Sequence, residues 1–155
     1  WRRELPAAPR WGPVLAAGKV WLAGDAELVA YDPVEGAEGA KVSCGAVAAE
    51  IVVDAGRLAI LNDKAEIFII NAESGEVASR IAGADAGKPP VLAGRSVLYC
   101  DAKSLMRHDL ASGESKRVLS TSWMGAFTSP LIVVDSQILF GTSKKGFVCA
   151  KPGGN

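Results

Sequence analysis

Histidine, cysteine and aromatic side chains are scarce in this sequence, and neither sign of charge dominates. There are one His, three Cys and 6% aromatic residues, with 17 Lys and Arg balanced by 17 Asp and Glu. Zero net charge removes the broad positive field with which a nucleic-acid-binding protein gathers phosphates. No apolar run approaches the ~20 residues that a membrane-spanning helix requires. A zinc centre ordinarily takes four nitrogen or sulfur ligands, whereas Cys44, Cys100, Cys149 and His108 are dispersed and form no Cys-x-x-Cys pair. Three cysteines allow at most one bridge, so a disulfide framework of the kind that staples small secreted domains is excluded, and the thiols read as free cysteines in strands.

What the sequence does contain is a repeat. Pro13-Val14-Leu15-Ala16, followed by Gly18-Lys19-Val20-Trp21-Leu22, returns as Pro90-Val91-Leu92-Ala93 followed by Gly94 to Tyr99. Gly56-Arg57-Leu58-Ala59-Ile60 stands midway, and Pro130-Leu131-Ile132-Val133-Val134 with Ser136 to Phe140 opens a fourth copy. The second half of each copy repeats as well. Asp32, Asn71 and Asp109 are each followed four places later by a glycine, at Gly36, Gly75 and Gly113. In the fourth copy Lys151 takes the place of the acidic or amide residue. The spacing is about 39 residues throughout.

Within each copy the local signals are those of strands and tight turns. Val20–Ala23, Val97–Cys100 and Ile138–Phe140 are apolar on both alternating faces, which predicts strands covered on both sides. The Asp-x-x-x-Gly segments supply turn chemistry: the carboxylate accepts from nearby backbone N–H groups and the glycine takes positive φ. Ala46 to Val53 has the propensity of a helix, but its place in the repeat matches Pro130 to Val134 and predicts a strand. Each copy then holds an inner strand, an apolar middle strand, a third strand ending at the Asp, and a fourth such as Glu76–Ile81 or Ser115–Leu119. Four antiparallel strands recurring near 40 residues are the mark of a β-propeller blade, whose two apolar faces pack on its neighbours. The expectation is an all-β chain of about four blades, near 11–44, 45–82, 88–120 and 127–155. Residues 1–10 are read as the tail of a preceding blade or a closing strand, and the blades as part of a larger ring or a four-bladed one.

These copies resemble the repeat of the quinoprotein-like propellers, the family named for pyrroloquinoline quinone. Its pattern runs Pro-Val-Val, a Gly, an aromatic middle strand, then Ala-Leu-Asp and a Gly four places on. Tyr99, Phe140 and Gly141 fit the middle strand, and Ala30 and Asp32 the third. The resemblance implies a propeller and an extracytoplasmic, periplasmic location. It does not fix an activity, because the repeat serves alcohol and glucose dehydrogenases, outer-membrane assembly scaffolds and sensor domains alike. This sequence also departs from the family. The docking Trp expected four places after the repeat Gly falls at Ala40, Ser79 and Arg117, and Trp1 is read as that residue from an earlier blade. The vicinal Cys-Cys pair and the carboxylate cluster that the resemblance would place beside the quinone are missing, so neither cofactor nor metal is expected.

Other chemical motifs are weak. His108 occupies the repeat position of Tyr31 and Ile70, and its neighbour Asp109 is already explained as a turn residue. Gly83 to Pro89 has one spacer too few for a phosphate loop and reads as a linker between blades. Ser143-Lys144-Lys145-Gly146 reads as a charged hairpin turn, and Trp21 as packing between blades. Trp11 and Trp123 precede inner strands, in segments that gather on one propeller face, and are the candidate partner-binding residues. The function expected is a non-catalytic scaffold that binds another protein, with self-association or additional blades completing the ring. The competing expectations are a segment of a quinone-dependent dehydrogenase and a ligand-sensing propeller.

Overall fold

The computed structural model of the chain describes Arg2, Glu4, Pro9 and residues 11–151. Trp1, most of the first ten residues and Gly153 lie outside the described residues, and with them the docking role assigned to Trp1 and the closing-strand reading of residues 1–10. Among the described residues there is no helix, and every element is a strand. The first sheet runs β1 (Val14–Ala16), β2 (Lys19–Ala23), β3 (Glu27–Tyr31) and β4 (Glu38–Ser43). The second runs β5 (Val52–Asp54), β6 (Arg57–Leu61), β7 (Glu66–Asn71) and β8 (Val77–Ala82). The third runs β9 (Val91–Ala93), β10 (Ser96–Cys100), β11 (Ser104–Asp109) and β12 (Ser115–Ser120). The fourth holds β13 (Ile132–Val134), β14 (Gln137–Thr142) and β15 (Gly146–Ala150). All pairings are antiparallel between successive strands, so the chain forms four blades of a β-propeller.

The turns are built as the residues dictate. Asp32 Oδ1 accepts from the N–H of Val34 and Glu35, both at 2.7 Å, and Gly36 closes the hairpin at φ 68°. Asn71 and Asp109 repeat the arrangement, on Glu73 and Ser74 and on Ala111 and Ser112. Inner hairpins turn in two residues: Ala17-Gly18, Ala55-Gly56 and Asp135-Ser136 all have positive φ at both positions, the geometry of turns that match strand twist. The reading of Ala46 to Val53 as one strand is corrected. Only Val52 and Val53 belong to β5, and Val47 makes a single isolated bridge to Asn62. Inner strands in all four blades are three residues long, and the preceding segment is a link that must cross back from the outer edge of the previous blade.

Three apolar clusters stack the blades. Trp21, Leu28 and Ala30 of the first blade meet Leu58, Ile60, Phe68 and Ile70 of the second. Ala59, Leu61, Ile67 and Ile69 turn the other way, onto Leu92, Val97 and Tyr99 of the third. Leu98, Cys100 and Leu105 then meet Ile138 and Phe140 of the fourth, where Phe127 and Phe140 pack edge to face at 5.1 Å. The middle strands β6 and β10 therefore have two buried faces, as the double apolar pattern predicts, whereas β2 and β14 are fully buried on one face and only partly on the other. Trp21 is wholly buried between blades, and its indole Nε1 has no hydrogen-bond partner; packing outweighs an unsatisfied donor that costs about 1–3 kcal/mol.

Candidate functional site

Antiparallel order sorts the connections onto two faces. The turns β1–β2 and β3–β4, with their equivalents, lie at one end of each blade. The β2–β3 hairpin and the link from the outer strand to the next inner strand lie at the other. Backbone bonds tie each link to such a hairpin: Ala48 N–H donates to Leu61 O, Asp63 N–H to Ala46 O, and Ser143 N–H to Ala126 O. Ser143 Oγ also accepts from the N–H of Ala126, at 3.1 Å. Trp11 and Trp123 both belong to this link face.

The two tryptophans are placed differently. Trp11 is half-buried against the cluster between the first two blades, and its Nε1 donates to Val47 O at 3.1 Å. Its ring also lines a cleft of about 220 Å³ with Ala48, Ala49, Glu50, Gly87, Pro89 and Pro130. These residues stand two to four places before the four inner strands, so the lead-in segments of all four blades converge there. Trp123 lies on the link between the third and fourth blades and is 56% exposed, while Met124 beside it is fully buried. The structure thus puts both residues on one face but not in one cleft. Repetition of the lead-in register, at Trp11, Ala49, Lys88 and Ser129, is the signal by which the sequence could have yielded the cleft.

Asp85 and Lys88 pair across the link above the third blade, and this contact, with the N–H of Gly87, holds the Asp85 carboxyl below its ordinary range. On the opposite face Asp109 is likewise lowered, by backbone N–H groups of Ser112 and Ala111. His108 is buried at the contact of the second and third blades, where its ring nitrogens lie 3.3 Å from Ser79 Oγ and 3.0 Å from Ser115 Oγ. Burial lowers its pKa, against the opposing pull of Asp109. Ser115 also accepts from Tyr99 Oη. Ser79 is one of the positions where the family's docking Trp is replaced, and a hydroxyl–imidazole contact fills the space between blades instead. Sequence reasoning missed this contact because Ser79 and His108 lie on different blades. Cys44 and Cys100 are buried thiols, pushed up to about 11 and about 12 by desolvation, and Cys149 is exposed. Among the described residues no three His, Cys, Asp or Glu side chains converge as a metal site would require.

Fold and turn chemistry together define a propeller of the quinone-repeat type. The family model described as outer membrane protein assembly factor BamB matches residues 24–150, and the chain belongs to that family. Among solved structures it is similar to BamB from Moraxella catarrhalis, at 16% identity and a TM-score of 0.65, over 88% of this chain and 41% of that one. It is similar also to the computationally designed Ika4 protein, at 11% identity and a TM-score of 0.74, over 97% of this chain and 94% of that one. The designed Ika8 protein matches at 12% identity and a TM-score of 0.67, over 94% of this chain and 46% of that one. The chain therefore spans about two fifths of the BamB structure. No curated protein matches it.

Proposed function

We propose that this chain is a non-catalytic propeller scaffold that binds a protein partner, or presents a face in an assembly, through its link face. The observation that carries the reading is the convergence of four lead-in segments on one open cleft, with an exposed tryptophan on the same face. Large, rigid aromatic side chains are the residues that most often anchor a protein contact. A cleft of about 220 Å³ is small beside the ~300–1,000 Å³ of a typical small-molecule pocket, which favours a protein over a free ligand. Family membership agrees: its description names an assembly factor of the outer membrane, and the same role would place this chain outside the cytoplasm, in a periplasm.

The test is a binding comparison on three proteins: the chain itself, Trp123→Ala, and Val34→Ala. Val34 is 80% exposed on the opposite face, in the β3–β4 hairpin. A partner captured by the chain and identified by mass spectrometry should bind Trp123→Ala at least about tenfold more weakly, as expected for an interface anchor. It should bind Val34→Ala unchanged. Equal loss in both variants, or in neither, contradicts the assignment of the face.

A further inference from the structure

A second hollow, of about 280 Å³, adjoins the link-face cleft. Trp11, Gly12, Pro13, Val14, Glu50 and Ile51 line it, and Trp11 and Glu50 are common to both. Its walls are the lead-in segments of two consecutive blades, the first and the second. Both are held from behind. The bond from Trp11 Nε1 to Val47 O uses the one polar atom of the indole on the protein itself and leaves ring carbons to line the hollows. Glu50 stands between Ala49, 3% exposed, and Ile51, 8% exposed, which are anchored in the apolar clusters on either side of the second blade. Its backbone is therefore fixed while its side chain is exposed.

Charge selects what such a site takes. Glu50 is the single ionisable side chain in either lining, and among the described residues its carboxylate has no hydrogen bond and no ion pair. The lysine of the neighbouring link, Lys88, is already engaged by Asp85. Nor does the repeat require a carboxylate here, since the other three blades carry Gly12, Pro89 and Pro130 at the same register. A carboxylate attracts a cation and repels an anion, and an indole ring within reach adds the attraction of a cation to its face. We propose that this hollow seats one lysine or arginine side chain of the protein partner, its charged head on Glu50 and its methylene stem along Trp11. The proposal rests on the protein-binding reading of the link face and adds the chemistry the partner must present. Long basic side chains suit the place, because their apolar stems cover apolar surface while the head stays at the polar rim.

The test is a titration of the chain, followed by backbone NMR, with three short capped peptides: acetyl-Gly-Lys-Gly-amide, its Arg counterpart and its neutral Gln counterpart. Saturable shifts of the Glu50 and Ile51 amides are expected with the two basic peptides at millimolar concentration. The Gln peptide should bind at least about fivefold more weakly. Glu50→Gln changes an exposed side chain without a partner, so it folds, and it should weaken the basic peptides about two- to fivefold, as for an exposed ion pair; Glu50→Lys should abolish their binding. Equal shifts with the Gln peptide overturn the proposal, as do no saturable shift with either basic peptide and binding that survives Glu50→Lys. The titration is read without the partner, so its failure is separable from failure of the face. A captured partner weakened by Trp123→Ala but not by Glu50→Lys leaves the protein-binding face standing and overturns the cation site.

Discussion

Glycine at position 75 shows how a single residue holds two blades together. It closes the β7–β8 hairpin at φ 78°, and an added Cβ would stand 2.5 Å from Ala40 Cβ and 3.7 Å from Trp21 on the first blade. Left-handed backbone costs an alanine roughly 1–2 kcal/mol, and overpacking a tight contact adds about 1–3 kcal/mol. Gly75→Ala should therefore destabilise the chain by about 2–5 kcal/mol in chemical denaturation. Gly113, in the same register of the third blade, has open space where its Cβ would point, so Gly113→Ala should cost only the conformational part. Equal losses in the two variants would contradict the contact. The glycine position itself is legible in the sequence from the Asp-x-x-x-Gly pattern. Its partner is not, because Ala40 is recognisable only as the place where a docking Trp has been lost.

Between elements, the lost docking residue is replaced by chemistry that responds to pH. His108 on β11 touches Ser79 on β8 and Ser115 on β12, and burial holds its pKa below the ordinary value of 6.5. A group with a lowered folded pKa keeps its stabilising effect above the unfolded value and loses it as pH falls toward the folded one, because the unfolded chain then binds the proton more readily. Melting temperature should therefore fall as pH is lowered from about 6.5, and His108→Gln should flatten that fall while leaving the acid loss due to Asp32 and Asp109 in place. A wild-type profile unchanged by the substitution would contradict the assignment. At this scale the sequence was most informative about middle strands, whose two-sided apolar pattern leaves one arrangement open. It was least informative about the inner strands. Ala46 to Ile51 has helix-forming residues and a strand's place in the repeat, yet the chain uses it as neither, because it must cross between blades there and topology overrides local preference.

For the whole molecule, repetition did most to make the fold legible: four copies with two-sided apolar strands need neighbours, and only stacking of blades provides them. The candidate site was less legible. Trp11 and Trp123 could be placed on one face from connectivity, but the cleft depends on where four separate lead-in segments converge, which no single copy reveals. The claim that this face works by binding a protein, with no quinone held for redox chemistry, is tested most directly by thermal melting of the chain with excess pyrroloquinoline quinone and calcium. A ligand at a hundred times its dissociation constant adds about 2.7 kcal/mol of stability, enough to raise the melting temperature by several degrees. The account predicts an unchanged melting temperature. A rise of several degrees that requires both quinone and calcium would contradict it.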